Sequence, residues 1–118
     1  MINKDDLPDW FEYPEEFFGI VDLQLTNLDP WYILKGEMLQ KKFADISKRY
    51  PDDAYIPFAI RSDNDDVACW SKKGGNNQVL IVHDLASTGW EKVKTYDSFW
   101  EWFKQAVDEM IEHEQPYR

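Results

Sequence analysis

The sequence predicts one domain that mixes short strands with two substantial helices. Three observations carry this. Residues 55–70, YIPFAIRSDNDDVACW, set two short apolar runs on either side of a polar patch made almost wholly of turn residues. Val79–Val82 is an unbroken apolar run, the mark of a strand buried on both faces. From Phe99 to Ile111, apolar side chains recur at helical spacing for over three turns.

In chain order, residues 1–12 are acidic and carry Leu7, Trp10 and Phe11 around Pro8, and they read as a flexible acidic arm whose aromatics can dock on the domain. Tyr13–Gly19 reads as one helical turn, with Pro14 at its start, glutamates in its first turn and Gly19 as its stop. Val21, Leu23 and Leu25 alternate with polar residues and predict a strand. Asn27–Pro30 is a turn, Trp31–Leu34 a second short strand, and Gly36 breaks it.

Glu37–Tyr50 is the first long helix, with Met38, Leu39, Phe43, Ile46 and Tyr50 gathered on one face and Pro51 ending it. Its basic residues, Lys41, Lys42, Lys48 and Arg49, read as a solvated face, since no glycine-rich loop beside them makes a phosphate site. Strands at 55–60 and 67–70 follow, with Pro57 placing the first at an edge or near its start. Ser71–Asn77 turns the chain into the strand Gln78–Asp84. Trp90–Tyr96 then alternates as a more exposed strand. Ser98 and Glu101 form a capping-box pattern for the terminal helix, and Trp100 falls off its apolar stripe. Phe58, Ala68, Val79, Ile81, Phe99, Trp102 and Phe103 are the expected core.

Composition bounds the function. The chain has 118 residues, 43% hydrophobic and 16% aromatic, enough apolar mass for one real core. No apolar run approaches a membrane span, no basic-then-apolar leader is present, and one cysteine suits a reducing cytoplasm. The net charge is −10, and residues 1–30 hold eight acids against one lysine, a local balance of −7. Such a field repels nucleic acid and anionic lipid and steers a basic protein partner.

Candidate chemistry is sparse. Cys69 and His83 are the only pair of the thiol-and-base kind. Cys69 lies in a strand with no activating neighbour, and reads as buried and inert. Asp63, Asp65 and Asp66 resemble the start of a calcium loop, but Ala68 replaces its glycine and Gly74 its glutamate, so they read as turn formers. No phosphate loop, dinucleotide fingerprint, nucleophile elbow or zinc spacing is present, and neither cofactor nor metal is expected. An enzyme is disfavoured.

The order of features resembles the SUKH superfamily, named partly for the yeast regulator of cell-wall assembly. The resemblance rests on Tyr13-Pro14-Glu15-Glu16-Phe17-Phe18, Trp31-Tyr32-Ile33-Leu34, Ile56-Pro57-Phe58-Ala59 with Asp65-Asp66-Val67-Ala68-Cys69-Trp70, the strand ending His83-Asp84, and Ser98-Phe99 with Trp102 opening the last helix. It departs from the family in lacking the Asn-Gly often found after the early helix. It implies an α+β fold, a mainly antiparallel sheet of about five or six short strands packed against helices, including a long C-terminal one. For bacterial members it implies a cytoplasmic, non-enzymatic immunity protein that binds a polymorphic or contact-dependent toxin.

A nuclease toxin must be basic to hold phosphates, and an acidic binder would meet it with a complementary field. The expected partner-binding residues are Asp9, Glu12, Glu15, Glu16, Asp63, Asp65 and Asp66, with Trp10, Trp31 or Trp100 as aromatic anchors. Two other readings stay open: a regulatory or scaffolding module with an endogenous protein partner, and a small hydrolase using Cys69 and His83.

Overall fold

A computed structural model describes residues 1–87 and 89–114. The fold is α+β. One antiparallel sheet of six strands runs in sequence order: β1 (Asn27–Leu28), β2 (Trp31–Ile33), β3 (Ile56–Arg61), β4 (Asp66–Ser71), β5 (Gly75–His83) and β6 (Lys92–Tyr96). Three α-helices cover it: α1 (Glu15–Asp22), α2 (Gly36–Arg49) and α3 (Phe99–Glu114). A 3-10 turn at Lys4–Asp6 precedes them.

Side-chain alternation divides the sheet into two faces. One presents Ile56, Phe58, Ala68, Trp70, Val79 and Ile81 to α1 and α3, where Phe17, Ile20, Phe99, Trp102 and Ala106 close the main core. The other presents Val67, Cys69, Leu80 and Val82 to Ile46 and Tyr50 of α2. The apolar run in β5 is thereby explained, since its residues alternate between two dry faces. The expected core assembles, with Phe103 half-buried against it. Trp70 is its aromatic hub: Phe58 lies 4.3 Å from it and Phe11, from the N-terminal segment, 5.2 Å.

Several sequence expectations are corrected. Gly19 does not stop the first helix, which runs on to Asp22 because Phe17 and Ile20, three apart, both bury into the core. The stop is Gln24, at φ 59°, where Gln24 N–H bonds the Val21 carbonyl and Leu25 N–H the Ile20 carbonyl, a Schellman ending without glycine. The strand expected across Val21–Leu25 is therefore absent, and pairing begins only at Asn27. Of the two places expected for Pro57, an edge strand or a strand's start, the structure shows the second, in the inner strand β3. It sits at the second position of β3, beside a register shift that accommodates its missing donor.

Met38 and Ile111, placed on apolar helix faces by spacing, are exposed. Trp90 lies outside β6, in the loop before it. The capping box of α3 forms with one change: Glu101 N–H bonds Ser98 Oγ, and the Glu101 carboxylate accepts from Asp97 N–H. Among the described residues, no helix is long and apolar enough to cross a membrane.

Candidate protein-binding surface

The expected acidic residues fall at two ends of the sheet. Glu15 and Glu16 occupy the first turn of α1, where carboxylates oppose the positive end of the helix dipole. Glu12 is tied to the β4–β5 hairpin, its carbonyl accepting from Asn76 Nδ2 at 2.5 Å. Asp63, Asp65 and Asp66 sit at or beside the opposite end of β4, in and after the β3–β4 turn. Six residues of strand separate the ends by roughly 17 Å, so the acids do not form one patch.

The α1 end carries the better anchor. A depression of about 220 Å³ is lined by Glu16, Asn76, Asn77, Asp97 and Trp100, among others. Trp100 is 49% exposed, and its ring is braced edge-on by Phe99 and Phe103, both 5.7 Å away. Phe18, also partly exposed, adds apolar surface on α1. A rigid aromatic with carboxylates around it is the arrangement a protein partner uses as an anchor.

The β3–β4 end is largely engaged with itself. Arg61 holds Asp63 through two bonds of 2.8 and 2.9 Å and also reaches Glu109 of α3. The Arg61 bonds keep the Asp63 carboxyl below its usual value, against an opposing effect of burial. Asp66 lies 3.0 Å from His83 Nδ1. Asp65 and Asp9 are exposed.

Trp31 is not an anchor. It is 3% exposed and packs edge-on against Trp102 at 5.6 Å, because β2 turns it to the α3 face. Trp10 is half-buried beside Phe11, with its indole N–H buried and lacking a partner among the described residues. Of the three tryptophans, only Trp100 offers substantial surface.

Cys69 and His83 do not meet. Cys69 is fully buried toward α2, and burial pushes its thiol pKa up, away from the reactive thiolate. His83 points to the opposite face, toward Asp66. Among the described residues, no group of three or more His, Cys, Asp or Glu side chains is placed to hold a metal ion.

Sequence reasoning missed two buried carboxylates. Asp84, 3% exposed, accepts from Lys42 Nζ at 3.0 Å and from Arg49 Nε and Nη2 at 2.8 and 2.7 Å. Burial alone would raise its pKa, but the Arg49 and Lys42 bonds outweigh that and hold it below the ordinary value. These two cations stand seven apart on α2, so half of the helix's supposed solvated face is a clamp. Glu91 is fully buried and accepts from Tyr55 Oη at 2.7 Å and Gly89 N–H at 2.6 Å. Tyr50 Oη donates to the Ala86 carbonyl at 2.6 Å. Together these bonds fasten the β5–β6 loop to α2 and the segment after it. The only sequence signal was the position of Asp84 at the end of an apolar strand.

No family model, curated protein or solved structure matches the chain.

Proposed function

We propose that this chain is a non-enzymatic immunity protein that acts in the cytoplasm by binding and neutralising a bacterial polymorphic or contact-dependent toxin with a basic surface, such as a nuclease. The observation that carries the reading is Trp100, a braced, half-exposed indole in a depression rimmed by Glu16 and Asp97. A net charge of −10, most concentrated in the first thirty residues, supports it, because a basic toxin domain would be drawn to that end. The resemblance to the SUKH superfamily adds the class of partner. Binding alone accounts for the activity, and neither Cys69 nor His83 takes part in it.

The second reading, a regulatory or scaffolding module with an endogenous protein partner, would use the same anchor. Immunity genes sit beside their toxins, so the discriminating experiment starts from the neighbouring genes. Each adjacent gene product with a basic terminal domain is expressed with and without this chain. Formation of a stoichiometric complex and relief of growth inhibition are expected, with relief weakened by Trp100→Ala. If no neighbouring product is bound or relieved, the toxin reading fails and the endogenous-partner reading stands.

A further inference from the structure

The β5–β6 loop is built at a cost that its connecting task does not require. Two carboxylates, Asp84 and Glu91, are withdrawn from water to fix its ends, and burying charge is expensive unless fully compensated. Leu85 is held at φ 73°, a conformation unfavourable for a residue with a side chain. In return the loop displays two apolar side chains to solvent: Trp90 is 81% exposed and Leu85 67%. Neither packs into the domain, so neither contributes to the fold what its burial would.

The sequence around Trp90 carries a local excess of lysine, against a net charge of −10 for the whole chain. Between Leu85 and Thr95 the only carboxylate is Glu91, which is turned inward, while Lys92 and Lys94 are exposed. Lys94 lies over the Tyr96 ring at 4.9 Å and has no ion pair among the described residues. Lys92 makes a 3.4 Å pair with Asp53, and both line a cleft of about 630 Å³ together with Asp52, Lys72 and Lys73. β6 is the last strand of the sheet, so its outer edge leaves backbone N–H and C=O groups without strand partners.

We propose that Trp90, Leu85 and the outer edge of β6 form a second interaction surface, which takes an acidic, extended segment of a protein partner. The segment adds a strand to β6, sets its carboxylates near Lys92 and Lys94, and packs an apolar side chain on Trp90. A second copy of this chain fits less well, since antiparallel pairing of two β6 edges centred on Lys94 opposes lysine to lysine. A lipid surface fits poorly too. It is broad enough to feel the whole charge of −10, whereas a narrow segment lies within a Debye length of about 8 Å of the local lysines. This surface is separate from the Trp100 depression and does not depend on the toxin reading.

The test pans the full chain against a random-peptide display library, with the Trp90→Ser variant as counter-selection. Trp90 is exposed, so its replacement leaves the fold intact. Recovered peptides are expected to be net negative and to carry an aromatic or aliphatic residue. A synthetic copy should bind Trp90→Ser about tenfold or more weakly, bind Lys94→Glu more weakly than wild type, and protect the amides of β6 from hydrogen exchange. Failure to enrich any peptide, peptides without acidic bias, or equal binding to Trp90→Ser would each overturn the proposal. Sedimentation of the wild type, but not Trp90→Ser, with phosphatidylserine vesicles would assign the surface to lipid and overturn it as well.

Discussion

The Tyr55 hydroxyl donates to the Glu91 carboxylate at 2.7 Å, with both side chains fully buried. Burial and the adjacent carboxylate both push the Tyr55 pKa up, so the phenol stays a donor throughout the accessible pH range. Tyr55→Phe removes that donor and leaves a buried charge with Gly89 N–H as its remaining partner. A stability loss of about 1–3 kcal/mol is expected, the cost of an unsatisfied buried polar group. Urea unfolding measures it, and an unchanged midpoint would show that water reaches Glu91.

The same carboxylates set the response to acid. Both Asp84 and Glu91 have folded-state pKa values below their ordinary 3.8 and 4.5. The unfolded chain then takes up protons first as pH falls, so stability rises with pH across this window. Their contribution should be complete above about pH 5 and should fade as pH drops through the lowered folded values. Asp84→Asn should flatten the acid limb of a plot of unfolding free energy against pH. A variant that follows the wild-type curve would place the acid sensitivity elsewhere.

Trp102 joins β2 to β3 by packing on both Trp31 and Phe58, the latter at 4.8 Å. Its truncation to alanine should cost about 3–5 kcal/mol, transfer and cavity effects combined. Trp100→Ala, at a half-exposed position two residues back in sequence and on another face of the helix, should cost far less. Denaturant titration of the two variants side by side checks the difference.

Association with a basic toxin domain should be governed by the acids at the α1 end. Raising salt from low to physiological levels should slow association markedly while changing dissociation little. Glu15→Lys with Glu16→Lys should lower the on-rate through the same attraction, and Trp100→Ala should shorten the lifetime of the complex instead. Stopped-flow and surface-binding kinetics separate the two. An affinity indifferent to both salt and charge reversal would refute the electrostatic account.

Local pattern made some of this legible and long-range contact hid the rest. The helix α3 announces itself because cap, stripe and length agree, and the β3–β4 hairpin because turn residues sit between apolar runs. The end of α1 misleads because Gly19 looks like a stop, whereas burial of Ile20 carries the helix past it to Gln24. Trp31 reads as surplus aromatic surface only until its partner, Trp102, is brought to it from seventy-one positions away. Glu91 gives no local sign at all: it stands among lysines in an alternating segment, and Tyr55, which satisfies it, is 36 residues distant. The acids of the candidate surface were all visible, but their split between two ends follows from the direction of β4 alone.

The sequential order of the sheet bears on how the chain is made. Every strand pairs with its sequence neighbours, so each hairpin can close soon after it leaves the ribosome, with little loop entropy to overcome. The faces mature at different times. The α2 side receives its helix before β3 is even synthesised, and is dry once β5 arrives. The other side must wait: Phe58, Trp70 and Val79 remain wet on much of their area until α3, the last element, folds back over them. During that interval the nascent sheet shows its most aromatic surface to water, and that is when a chaperone would find it.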